Sequence, residues 1–180
     1  MRHDLEKTVV LVGMMGAGKT AVGTALARIL GVPFLDSDAE IEHAANMSIA
    51  EIFARDGEAF FRRKETQVIE RLLHGQPGVL STGGGAFMQA ENRALIGEYG
   101  VSVWLRASLD TLWNRVKHKD TRPLLRTADP YGTLKALADA REPIYAAADL
   151  AIESGADQAV DDMAHKVIKA LQAHPGAMAT

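Results

Sequence analysis

Five short apolar runs, "TVVLVG", "VPFLD", "GVLSTGG", "VSVWLRA" and "DLAIES", are spaced along the chain, and each gap between them has room for at least one helix. Valine- and leucine-rich strands with little polar alternation are buried on both faces, and gaps of this length rule out simple hairpins. The pattern predicts a five-stranded parallel sheet covered by helices on both sides, a three-layer α/β/α arrangement. A chain of 180 residues can bury one good core and is short for two, so one domain over 1–180 is expected.

Caps and periodicity place the helices. One runs from Lys19 to Leu30 and stops at Gly31; Ser48 and Glu51 form a capping box for a helix stopped by Gly57. Another covers 58–74 before Gly75, Ser108 caps "LDTLWNRVKH", and the last spans about 157–173. Residues 119–130, "KDTRPLLRTADP", fit neither helix nor strand, with two prolines and two arginines between helices. That segment reads equally well as an exposed connection or as a lid over a site. The tails 1–7 and 174–180 are expected to be disordered.

Composition removes several classes of function. Twenty basic against 23 acidic residues give a formal charge of -3, which leaves no broad electrostatic footprint for nucleic acid or an anionic membrane. Without cysteine there are no disulfides, thiolate metal sites or thiol nucleophiles, and the six histidines lack metal-ligand spacing. No stretch approaches the ~20 apolar residues that span a bilayer, and the first apolar run reads as a strand, not a signal peptide. A cytoplasmic protein is expected.

The first run leads into the most specific local pattern. In "LVGMMGAGKTAVG", Gly13, Gly18, Lys19 and Thr20 satisfy GxxxxGK[ST], with a predicted strand before the loop and a predicted helix after it. Gly13, Gly16, Ala17 and Gly18 let the backbone curl until several N–H groups face one phosphate, with the helix N-terminus behind them. Lys19 would reach the outer phosphates, and Thr20 would give its hydroxyl to a magnesium ion that takes few protein ligands. Nucleotide binding follows from this stretch alone.

An acceptor must be sought elsewhere. "FLDSD" puts Asp36 and Asp38 at the carboxyl edge of the sheet, where ligands of open α/β folds bind. Asp36 could hold a magnesium-bound water while Asp38 takes the proton of an acceptor hydroxyl, or Asp38 could simply cap the following helix. In "FFRRKE", Arg62 and Arg63 fall on different helix faces, and Arg62 lies three residues from Glu65, the spacing of an ordinary solvated pair. Arg141 stands in "REPIY" just before a proline expected to break its helix. Two arginines at one cleft would fork onto a carboxylate. Gly83, Gly84 and Gly85 follow the third strand, where either a positive-φ turn or close approach of a ligand would require glycine.

Taken together, "GMMGAGKT", "DSD", "FRR", "TGGGA", "RPLL" and "REPIY" occur in the order that marks the shikimate kinase family, and the resemblance runs from about residue 9 to 167. It implies the nucleoside monophosphate kinase type of P-loop fold with strand order 2-3-1-4-5, a monomer, and transfer of the γ-phosphoryl of ATP to the 3-hydroxyl of shikimate with one Mg2+. By the same resemblance Asp38 holds the acceptor hydroxyl, Arg62 and Arg141 grip the shikimate carboxylate, and the backbone around Gly83, Gly84 and Gly85 binds a ring hydroxyl. Lys19 and the lid residue Arg122 neutralise the phosphates, Arg115 flanks the adenine, Thr20 ligates the metal and Asp36 reaches it through water. After the last strand this chain reads "IESGADQ", where family members often carry a threonine or an arginine-containing loop. Another small-molecule kinase of the same fold, such as a gluconate kinase, or a P-loop module without an acceptor would leave the FRR, GGG and RxPxY motifs unexplained.

Overall fold

The computed structural model describes residues 4–118 and 126–179. Five parallel strands, β1 (Thr8–Val12), β2 (Phe34–Asp36), β3 (Val79–Ser81), β4 (Gly100–Arg106) and β5 (Leu150–Glu153), form one sheet in the order β2-β3-β1-β4-β5. This is the predicted sheet and the predicted order. In β1 the four residues after Thr8 are fully buried. Successive side chains of a strand point to opposite faces, so burial of them all requires cover on both sides. The register pairs Leu11 with Ser81 on one flank and with Val103 on the other, which aligns the carboxyl ends of the three central strands.

Among the described residues the α-helices are α1 (Lys19–Leu30), α2 (Ser37–Ala45), α3 (Ile49–Leu73), α4 (Ala90–Tyr99), α5 (Leu109–Val116), α6 (Pro130–Tyr145) and α7 (Val160–Ala173). The local signals are visible at their ends. Gly31 closes α1 in the left-handed region, and Ser48 and Ser108 accept hydrogen bonds from the Glu51 and Thr111 amides. Helices α1 and α7 pack on each other, as do α3 and α4. Leu26, Leu80, Leu105, Leu134 and Leu171 meet in the common core.

One expectation holds at Gly57, two others need correction, and one helix was not foreseen. The two helices predicted on either side of Gly57 are both present within the span α3, separated at Gly57, whose φ 85° and ψ 171° are non-helical and kink the chain. The glycine ends the first helical segment, as expected, and the second leaves it in a new direction. Pro143 does not stop α6, which continues to Tyr145. Its missing N–H forfeits the helical bond to the Asp139 carbonyl, but the proline falls in the last turn, where little helix remains to be disrupted, and the Ala146 amide still bonds the Glu142 carbonyl. The described parts of the tails are paired, not disordered: Leu5 bridges Met178, and the Glu6 amide reaches the Ala177 carbonyl at 3.1 Å. Leu5, Ala177 and Met178 bury apolar surface against the core, which repays their ordering. Helix α4 went unread because Gln89 at its start makes no side-chain cap and its apolar stripe is weak.

Candidate active site

The glycine loop between β1 and α1 has the shape its sequence implies. Gly13, Gly16 and Gly18 take φ values of 147°, 83° and 96°, a region closed to most side chains. Gly18 precedes α1 with no side-chain cap, and the first turn carries no acidic residue. The leading N–H groups of that helix are thus left for an anion. The Lys19 ammonium donates to the Gly13 and Met14 carbonyls at 2.6 and 3.1 Å, folded over the loop it would serve. Thr20 stands exposed beside it.

At the end of β2 the two aspartates divide their tasks, though not as the capping alternative had it. Asp36, not Asp38, caps α2 by accepting from the Ala39 amide at 3.1 Å. Asp38 is thereby released to face the loop after β3. Burial, and next the Asp36 carboxylate, push its pKa up to about 6 against the pull of Lys19. A carboxyl so tuned can take or hold a proton near neutral pH.

None of Gly83, Gly84 and Gly85 has a positive φ. Their lack of side chains is explained by crowding. A Cβ on Gly83 would lie 2.6 Å from Asp38 Oδ1, one on Gly84 2.9 Å from Arg141 Nη1, and one on Gly85 2.5 Å from Arg62 Nη2. Three charged groups from α2, α3 and α6 therefore converge on three consecutive glycines. The loop is braced from behind. Tyr145 donates to the Gly84 carbonyl at 2.7 Å, and buried Asn92 donates to the Ala86 carbonyl at 2.9 Å while accepting from Thr66 on α3. The Gly83 amide donates to Ser37 at 3.3 Å.

Arg62 does pair with Glu65, at 3.0 Å, as its spacing predicts, yet the pair is not solvated: the Glu65 side chain is 1% exposed and that of Arg62 22%. Burial raises the Glu65 pKa, and Arg62 opposes the rise. Arg63, in contrast, is exposed and lies over the Phe60 ring. Two guanidinium nitrogens, Arg62 Nε and Arg141 Nη1, are buried without a hydrogen-bond partner. The carboxylate nearest Arg62 Nε is Glu58, at 3.7 Å. Buried donors left unpaired are costly, and a pair of them at one loop has the chemistry to accept an anion.

Arg115 donates to the Gly16 carbonyl at 2.9 Å and to the Gly155 carbonyl at 3.2 Å, joining the glycine loop to the segment after β5. Of the expected site residues, Lys19, Thr20, Asp36, Asp38, Arg62, Gly83, Gly84, Gly85, Arg115 and Arg141 are all placed at the carboxyl side of the sheet or its loops. Arg122 and most of the expected lid lie outside the described residues. Tyr145, Asn92, Ser37 and Ser154 were not foreseen as parts of the site's frame. Their importance comes from partners elsewhere in the chain, and only Ser37, inside "DSD", and Tyr145, the last residue of "REPIY", fell within a motif.

A parallel sheet in this order, a phosphate-type glycine loop on its central strand and a cluster of one carboxylate and two arginines define a P-loop kinase for a small anionic acceptor. A family model described as shikimate kinase matches residues 15–172. Shikimate kinase of Ruegeria pomeroyi is 68% identical over 167 residues, covering 93% of this chain and 86% of that one. The enzyme of Cereibacter sphaeroides is 67% identical over 176 residues, 98% of this chain and 88% of that one. A solved shikimate kinase from Acinetobacter baumannii, in complex with shikimate, superposes with a TM-score of 0.87 at 39% identity over 93% of both chains. The chain belongs to the shikimate kinase family.

Proposed function

We propose that this chain transfers the γ-phosphoryl group of ATP to the 3-hydroxyl of shikimate, giving shikimate 3-phosphate and ADP on the route to chorismate and the aromatic amino acids. The observation that carries the reading is the convergence of Asp38, Arg62 and Arg141 on Gly83, Gly84 and Gly85. The unpartnered Arg62 Nε and Arg141 Nη1 supply the fork for the carboxylate of shikimate. Asp38 then stands beside a ring hydroxyl. As the hydroxyl oxygen forms its bond to the γ-phosphorus and the bond to the bridging oxygen of ADP breaks, the proton passes to Asp38. Lys19 and the amides at the head of α1 hold the phosphates as charge shifts onto the leaving oxygen. Most of the rate comes from alignment and charge neutralisation, so the rigid frame behind the three glycines matters as much as the charges.

The residues present fit magnesium. Thr20 is exposed at the head of α1, Asp36 keeps a second carboxylate oxygen beyond its cap bond, and among the described residues no group of three or more acidic or histidine side chains competes for a metal. Such a sparse donor set suits an ion held mainly by phosphates and water. Magnesium bound with ATP would supply charge neutralisation at the phosphates, with Thr20 as direct ligand and Asp36 acting through water. Arg115 flanks the adenine in this reading. The protein works as a single-domain cytoplasmic monomer on small molecules, without nucleic acid or membrane; among the described residues no helix is long and apolar enough to cross a bilayer.

The test is ADP release from Mg-ATP with shikimate, gluconate, a nucleoside monophosphate or no acceptor. Turnover with shikimate alone is expected. Turnover with gluconate instead, or tight ATP binding with no acceptor-dependent turnover, would overturn the reading.

A further inference from the structure

The glycine loop is held from outside by a side chain that neither the motif nor the family resemblance assigned. Ser154, at the end of β5, is 4% exposed. Its amide is bonded to the Arg106 carbonyl at 2.6 Å, which fixes it against β4. Its hydroxyl donates to the Ala17 carbonyl at 3.1 Å and accepts from Arg115 Nη1 at 3.3 Å. The same Arg115 nitrogen donates to the Gly16 carbonyl. Two consecutive peptide carbonyls of the loop are therefore clasped by one pair of side chains.

Among the described residues every peptide bond is trans, so in each unit the C=O and the N–H point to opposite sides of a plane. Holding the Gly16 and Ala17 carbonyls outward turns the amides of Ala17 and Gly18 inward. The Ala17 amide already spans the loop to the Met14 carbonyl at 3.1 Å. A loop whose glycines have φ values of 83° and 96° on either side of Ala17 has little stiffness of its own. Orientation must come from elsewhere, and the clasp provides it.

We infer that Ser154 is a positioning residue for nucleotide binding, acting by locking the Ala17–Gly18 peptide with its N–H toward the phosphates and by seating Arg115. The inference rests on the reading of the loop as the ATP site and needs no particular acceptor. Ser154 follows the edge strand β5, while Asp38 follows β2 at the opposite edge. Loss of the hydroxyl should thus be felt by the nucleotide and not by the acceptor side. Loss of two hydrogen bonds, with the Ala17 carbonyl left without this donor, predicts about tenfold weaker binding.

The experiment is calorimetric titration of ADP, with magnesium, into the wild type, Ser154→Ala and Ser154→Thr, alongside thermal unfolding and titration of shikimate. The expected result is ADP affinity about tenfold weaker in Ser154→Ala, restored in Ser154→Thr, with shikimate affinity nearly unchanged and Tm lowered by only about 2–4 °C. Equal ADP affinity in all three proteins would overturn the inference, as would a loss that Thr fails to restore or a loss accompanied by a large fall in Tm. If the wild type binds ADP but not shikimate, the acceptor reading fails while the ADP comparison still decides the role of Ser154.

Discussion

Asp38 Oδ1 lies 2.6 Å from the point at which a side chain on Gly83 would begin. The same relation links Gly84 to Arg141 and Gly85 to Arg62, so each glycine reserves space for a different charged group. In every case the obstructed atom is the far end of a side chain, not backbone. An added methyl would move the reactive group aside without unfolding the protein. Gly83→Ala should lower kcat on the order of 10²-fold through misplacement of Asp38, whereas Gly85→Ala should act mainly on KM for shikimate. Steady-state kinetics with each substrate varied, together with a Tm for each variant, checks this; a shared fall in Tm with no kinetic split would contradict it.

The raised pKa of Asp38 makes activity and stability respond to pH in opposite directions. Ionised Asp38 is the form that accepts a proton, so kcat/KM for shikimate should fall as pH drops through about 6. For stability, the folded state holds this proton more tightly than the unfolded chain between the ordinary carboxylate pKa of 3.8 and about 6. Asp38 therefore subtracts stability as pH rises through that window, and the cost is fully present above it. Asp38→Asn should lose turnover by about 10²-fold or more yet melt higher than the wild type at pH 8, with the gain absent near pH 4. A pH series of melting curves and rates for the two proteins reads both effects.

Arg62→Lys keeps the charge and loses the fork. The Arg62 Nε is an unpartnered donor, and Nη1 is held by buried Glu65. A lysine offers one compact ammonium in place of that geometry. KM for shikimate should rise about 10- to 100-fold, with KM for ATP changed little. Equal effects on both substrates would remove Arg62 from the carboxylate grip.

Tyr145→Phe deletes a hydroxyl that donates to the Gly84 carbonyl at 2.7 Å and leaves the ring among Phe87 and Trp104. Packing survives and one loop carbonyl loses its partner. Stability should fall by about 1 kcal/mol, and shikimate binding should weaken more than ATP binding because the loosened loop is on the acceptor side. Denaturant unfolding and the two KM values separate these consequences.

Much of this was open to inspection in the linear chain. The five valine- and leucine-rich runs, their spacing and the GxxxxGKT stretch each depend on residues close together, and local chemistry decided them: strand burial, positive φ at Gly16 and Gly18, caps at Ser48 and Ser108. The residue types for the acceptor side were legible too, as four of six motifs in a recognisable order. Their states were not. Asp36 and Asp38 differ by two positions, and only the path of the chain from β2 into α2 made the first a helix cap and the second a half-buried acid with a raised pKa.

The same division holds for the rest of the site. Arg62 and Glu65 are a pair by helical spacing, but whether that pair is solvated depended on what packs over α3, and burial turned an ordinary surface contact into a fixed, desolvated one. The three glycines read equally as a turn or as a close approach until Asp38, Arg62 and Arg141 were seen to arrive from three separate helices. Ser154 carried no local signal, since its bond to Ala17 spans 137 residues. Sequence settled the features that rest on short-range periodicity and backbone sterics. Desolvation and convergence of side chains are properties of the packed whole, so tertiary structure alone decided which charges were buried, which were capped and which were left waiting for a partner.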